Sequence, residues 1–374
     1  MLPRRYQRGI AFSVVLAAAI YLGLILYSGG FTDLRAALQR FPWWGVPAAC
    51  GLAAANWLIR FLKWERYRKL LGVKITVRQS ILVYFSGFCL SITPGKMGEA
   101  YKSLLIKRLD GTPISRTAMI VIAERLTDLL ALVILMAAGG ILTVAGGQRL
   151  SGAAEGPDYG RYVGWIALLT LVLCSTLLGV VFCDPLVRFG IRKLSAIPRL
   201  GKIQHKLSAF HEAGKTLLSP RQLIYPTVVS VISWSCEAIA LYMIASLLTT
   251  GTLEPKDSVG AAVTLPLCFF AYSFSMIFGN IVIFLPAGVG PTEGALGWFL
   301  DHAGGLTKPE ANTATLLFRA CTLWLSVLTG MVAATVFERT YGRVDEPPAA
   351  SPPSSFEGEP GLGAANVKST TSRA

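Results

Sequence analysis

The chain has 374 residues, 53% of them hydrophobic and 15% charged, with a mean hydropathy of +0.54 and a net charge of +14. An average soluble domain carries about 25% charge. A water-soluble enzyme is therefore excluded, and the basic residues sit beside apolar runs, where they point to membrane topology and anionic lipid rather than to nucleic acid. The N-terminus, MLPRRYQR, precedes an apolar run over Gly9–Tyr27. That run exceeds the roughly 15 residues of a signal-peptide core and no A-x-A site closes it, so it reads as a retained first span. Full spans are expected at roughly 9–28, 43–62, 114–146, 162–183, 222–248 and 310–338. Two further apolar segments, 79–93 and 259–285, run into Pro-Gly breaks, and residues 96–109 and 291–304 follow those breaks.

Lysine and arginine near the span ends orient the chain. Arg4, Arg5 and Arg8 place the N-terminus in the cytoplasm. The loop from Lys63 to Arg78 and the long basic segment 184–221 belong on the same side. The loops at 29–42, 147–161 and 249–258 are short and nearly balanced in charge, so they belong outside. Residues 341–374 are rich in Pro, Ser, Gly and Ala and are expected to be a disordered cytoplasmic tail.

The two breaks carry the chemistry. Residues 93–99 read TPGKMGE and residues 285–293 read LPAGVGPTE; from Glu99 to Arg125 and from Glu293 to Arg319 the distance is 26 positions in both copies. Some 15 residues precede Pro94, about 22 Å of helix, against a hydrocarbon core of about 30 Å. The first segment is thus expected to enter from the cytoplasm, turn and return. The second would do the same from outside, unless 259–285 crosses fully. Pro94 and Pro286 interrupt the helix ladder, and Gly95, Gly98, Gly288 and Gly290 permit tight backbone geometry. Each outgoing helix then starts with unpaired N–H groups near mid-membrane, an anion-binding end. Lys96 and Lys102 add charge to the first. A duplicated, broken, inverted hydrophobic segment is the best sequence pointer to a transporter site.

Within the third span, Glu124, Arg125 and Asp128 share neighbouring faces, and Arg319 holds the corresponding place in the second copy. Arginine offers a planar fork suited to phosphate or carboxylate. Two readings stand side by side. In one, Arg125 and Arg319 draw a lipid phosphate into a polar cavity. In the other, they form structural ion pairs, Arg125 with Glu99 or Asp128 and Arg319 with Glu293. Glu99 and Glu293 are equally readable as helix N-terminal caps. Arg60 and Lys63, with Trp64, read as interfacial anchors or a vestibule for headgroups. Glu237 has no sequence-local partner. The seven cysteines form no CxxC pair, and the three histidines offer no ligand spacing, so no metal and no cofactor is expected. Nucleotide-binding and hydrolase motifs are missing.

Taken together, Arg60-x-x-Lys63-Trp64, Thr93-Pro-Gly-Lys-Met-Gly-Glu99, Glu124-Arg125-x-x-Asp128, Leu285-Pro-x-Gly-Val-Gly-x-x-Glu293 and Arg319 with Trp324 resemble the transmembrane region of lysylphosphatidylglycerol synthases, over roughly residues 10–340. The resemblance implies movement of a lipid between leaflets by a flippase-like domain standing without the aminoacyltransferase domain. It implies a phosphate-bearing lipid, either a phospholipid or a polyprenyl-phosphate-linked one.

The expectation is therefore an all-α polytopic membrane protein of about six full spans plus two re-entrant helical hairpins arranged as inverted-topology repeats, one domain over 1–340. Repeat one covers about 43–146 and repeat two about 222–338. Both termini are expected in the cytoplasm of a cell (inner) membrane. Partners would be membrane lipids with an anionic headgroup, and a homo-oligomer is left open. The alternatives are a membrane enzyme of lipid-linked sugar or aminoacyl-lipid synthesis, using Glu99, Glu124 or Asp128 as base, or a scaffold acting through the basic segment 184–221.

Overall fold

The computed structural model describes residues 4–27, 30–93, 97–145, 165, 168, 172, 216–250, 263–281 and 286–342. Every element among them is helical. The expected span 162–183, most of the basic segment 184–221 and the tail beyond 342 lie outside the described residues.

Four stretches are long and apolar enough to cross a bilayer. They are α3 (Gly45–Leu70), α6 (Ile114–Ala145), α7 (Pro220–Thr250) and the continuous stretch Lys308–Tyr341. The last consists of α10 (Lys308–Arg319), a π turn over Ala320–Trp324, and α11 (Leu325–Tyr341). The first expected span becomes α1 (Arg4–Tyr27), followed by α2 (Phe31–Arg40) at an 86° bend; joined, the two give a fifth crossing. The described residues thus hold four or five candidate crossings, against six expected. The difference lies in the bend after α1 and in residues 162–183.

Both interrupted segments fold into short helices that turn back. α4 (Val77–Ser86) starts at a capping box: Gln79 N–H donates to Thr76 Oγ1 (3.3 Å) and Thr76 N–H to Gln79 Oε1 (2.8 Å). It tightens into a 310 turn over Gly87–Leu90 and stops before the Pro94 break. α5 (Met97–Asp110) packs back against it. Around the second break stand α8 (Leu265–Ile281), a 310 turn at Pro286–Gly288, and α9 (Pro291–His302), which packs back on α8. At 1.5 Å per residue, the 17 residues of α8 reach about 25 Å, short of a hydrocarbon core of about 30 Å. α4 with its extension reaches about 21 Å.

The packing exchanges parts between the two halves. α3 lies along α7, α4 and its extension lie on α11, and α8 lies on α6. Each hairpin therefore packs on the last long helix of the other half. Glycine makes both contacts close. A Cβ on Gly330 of α11 would collide with the backbone at Phe88–Cys89. One on Gly139 of α6 would come within 2.6 Å of the Pro266 carbonyl and 2.7 Å of the Phe270 nitrogen on α8. The largest apolar cluster forms at the second contact, with Leu132, Met136, Leu267, Phe270 and Phe299 buried. Outward, apolar side chains stay exposed at i, i+4 spacing: Ile224, Val228 and Ile232 on α7; Leu328, Val332 and Val336 on α11. An exposed apolar stripe of this kind faces lipid.

Candidate functional site

A cavity of about 450 Å³ opens between the two halves. It is walled by α3, α6 and α7, by Gly87, Phe88 and Ser91 before the first break, by Ala287 in the second break, and by Arg319 and the π turn. Among the described residues, six charged side chains line it: Arg60, Lys102, Arg125, Asp128, Glu237 and Arg319.

Asp128 is the hub on the first-half side. Arg60 reaches its Oδ2 at 2.7 Å, Lys63 its Oδ1 at 2.6 Å, and Arg125 lies 3.8 Å away. Ser230 Oγ–H from α7 donates to Oδ1 at 3.0 Å, and the Lys63 ammonium also donates to Thr127 Oγ1 (3.2 Å) and Ser230 Oγ (2.7 Å). Arg60 lies over the Trp234 ring, 4.6 Å from its centre. Lys102 pairs with Glu124 at 3.4 Å and lies over the Trp64 and Tyr84 rings at 4.9 and 4.8 Å. Gly87 makes room for it, since a Cβ there would stand 2.5 Å from Lys102 Cε. Among the described residues, four cations thus meet two carboxylates, Asp128 and Glu124. Buried charge is tolerated only with such partners. Among the described residues, the Arg60 Nε and the Trp234 Nε1 are buried and have no hydrogen-bond partner. The Arg125 side chain is 37% exposed, the most open cation of the set.

On the second-half side, Arg319 Nε donates to Glu293 Oε1 at 2.6 Å, and its Nη2 donates to the Ala287 carbonyl at 3.2 Å. Glu293 Oε2 accepts the Gly290 N–H at 2.6 Å. One carboxylate therefore caps α9 and pairs with the arginine, so the cap and ion-pair readings both hold for Glu293. The break is built from left-handed backbone, with φ of 52° at Ala287, 67° at Gly288 and 98° at Gly290. Ala287 is the one non-glycine among them, and its carbonyl is the one that Arg319 holds. Tyr21 on α1 closes the network: its hydroxyl donates to Glu293 Oε1 (3.3 Å) and accepts from Trp324 Nε1 (3.3 Å). Glu237 on α7 takes the Tyr272 hydroxyl from α8 at 2.7 Å.

The structure gathers Arg60, Lys102, Arg125, Asp128 and Arg319 around one space, with Glu124 and Glu293 directly behind. Pro94, Gly95 and Lys96 lie outside the described residues, as do the side chains of Gly98's neighbour Glu99 and of Pro286. Lys63 stands apart from the vestibule expected of it. It is fully buried, and its ammonium is spent on Asp128, Thr127 and Ser230, because α3 continues eight residues past the expected end at 62 and carries that turn into the protein. Arg60 lines the cavity while paired to Asp128. Sequence reasoning missed Tyr21, Ser230, Trp234 and Tyr272. Only their place among apolar residues marked them, and that signal is shared by much of the chain.

Long apolar helices, exposed apolar stripes and a charged interior define a multi-pass helical membrane protein. The chain matches the family described as "Lysylphosphatidylglycerol synthase TM region" over residues 10–330, and it belongs to that family. Membership places it among membrane proteins of lipid metabolism or transport. No curated protein matches the chain.

Proposed function

We propose that this protein is a lipid flippase that moves an anionic, phosphate-bearing lipid between leaflets. The observation that carries the reading is the cavity, set between the two chain reversals, with more cations than carboxylates among the described residues of its first-half wall. Arg125, Arg60 and Arg319 face it with planar forks that suit phosphate oxygens. Its volume takes a headgroup, while acyl or prenyl chains remain in the bilayer.

The exchange of partners supports an inverted-repeat mechanism. Exchanging α3 with α7, α4 with α8 and α6 with α11 maps the α3–α7 contact onto itself and the other two main contacts onto each other. Rocking of one half on the other would open the cavity to alternate sides. An entering phosphate would compete with Asp128 for Arg60 and Arg125, and with Glu293 for Arg319, so the ion pairs would act as gates. The loop charges support a cytoplasmic N-terminus in the cell membrane.

Native mass spectrometry of the purified protein tests the reading. A co-purified lipid with a phosphate headgroup is expected, and its occupancy should fall at least tenfold in Arg125→Gln/Arg319→Gln. Occupancy by neutral lipids alone, or unchanged occupancy in that variant, would contradict it.

A further inference from the structure

Glu237 stands apart from the other carboxylates of the site. Asp128, Glu124 and Glu293 each face a cation within 3.4 Å. Glu237 lines the same cavity, is 8% exposed, and has no ion pair among the described residues. Its recorded partner is a neutral hydroxyl, that of Tyr272 on α8, at 2.7 Å. Among the described residues, Arg60 from α3, Lys102 from α5, Arg125 and Asp128 from α6 and Arg319 from α10 line the cavity with it. These cations are already taken, Arg60 and Arg125 by Asp128, Lys102 by Glu124 and Arg319 by Glu293. A largely buried carboxylate without a close counter-ion is costly, and a proton removes that cost.

The location gives that proton a consequence. An anionic headgroup drawn to Arg60, Arg125 and Arg319 would sit beside Glu237, because all four side chains line one space. Two negative groups side by side in a cavity set within the protein repel more strongly than in bulk water. Protonation of Glu237 removes the repulsion, so headgroup and proton each favour the other's binding, and by linkage the effect is reciprocal. We propose that Glu237 is a proton site coupled to the headgroup site, so that the cavity takes up an anionic lipid together with a proton. This rests on the flippase reading above. The proton passes from water in the cavity to a carboxylate oxygen of Glu237 and returns to water when the headgroup leaves; no other bond changes.

Two measurements on the full-length protein in detergent test it. The first needs no lipid. Infrared difference spectra between mildly alkaline and mildly acidic buffer should show the carbonyl band of a protonated carboxyl. The band should vanish in Glu237→Gln and shift in frequency in Tyr272→Phe, which assigns it even if the first variant folds poorly. The second follows proton uptake from weak buffer on adding short-chain phosphatidylglycerol. Wild type should take up protons, and Glu237→Gln should lose at least four-fifths of that uptake. A band that persists in Glu237→Gln and is unmoved in Tyr272→Phe would overturn the proposal, as would lipid binding with equal proton uptake in wild type and Glu237→Gln. A Glu237 band without any binding of anionic lipid would instead overturn the flippase reading and, with it, the coupling.

Discussion

Asp128 compensates three cations at once, so its removal strands them. Asp128→Asn leaves Arg60, Lys63 and Arg125 without their shared carboxylate. Breaking a buried ion pair by removing one partner costs about 3–5 kcal/mol. Thermal unfolding in detergent should show Asp128→Asn destabilised on that scale, whereas Asp33→Asn on the exposed surface of α2 should change little. The Arg319–Glu293 pair gives the matching test. Glu293→Gln removes the charge that pairs with Arg319, while the glutamine oxygen can still accept the Gly290 N–H that starts α9. Glu293→Gln should therefore be less stable than Glu293→Gln/Arg319→Gln, in which no buried charge is left unpaired; a double variant less stable than the single would refute this account of the pair. Parts of this network were legible in the sequence. Arg125 and Asp128 are three apart on one helix, and the equal 26-residue spacing joined Arg319 to Glu293. The contacts of Lys63 with Asp128 and of Tyr21 with Glu293 cross 65 and 272 positions, and no local rule reports such pairs.

Glycines set how closely the elements approach. Gly330 and Gly139 each seat a hairpin helix of the other half against a long helix. Replacing a glycine at such a contact forces backbone apart, with a cost of about 1–3 kcal/mol for modest overpacking. Gly330→Leu and Gly139→Leu should each lower the melting temperature, whereas Gly51→Leu, where a Cβ meets nothing within 4 Å, should not. Equal effects at all three would mean that the close contacts do not set the packing. The two breaks were readable because proline and glycine punctuate apolar runs, the first of which is too short to cross. Two other features carried no sequence signal. The π turn after Arg319 sits in an unbroken helical pattern, Ala320–Trp324, and it places Thr322 and Leu323 on the cavity wall. The 86° bend between α1 and α2 follows Gly30 at φ 84°, but the sequence there reads equally well as a simple loop.

At the scale of the whole molecule, polarity runs inward. Apolar stripes face out, and charges meet at a cavity between two halves that exchange hairpins. The class of protein was plain from composition, and the meeting of Arg125 and Arg319 from the duplicated spacing. That the cavity also holds Arg60 and Glu237 depended on how α3 lies along α7, which hydropathy cannot specify. The central claim is that this cavity carries an anionic headgroup across the membrane. The most direct measurement reconstitutes the protein in liposomes with a trace of fluorescent phosphatidylglycerol and follows quenching by a membrane-impermeant reductant. Empty vesicles lose only the outer-leaflet half of the signal. Wild-type vesicles should lose well beyond half, and Arg125→Gln/Arg319→Gln vesicles should behave as empty ones. Quenching that stops at half with wild type, across phosphatidylglycerol and a polyprenyl phosphate alike, would contradict the account.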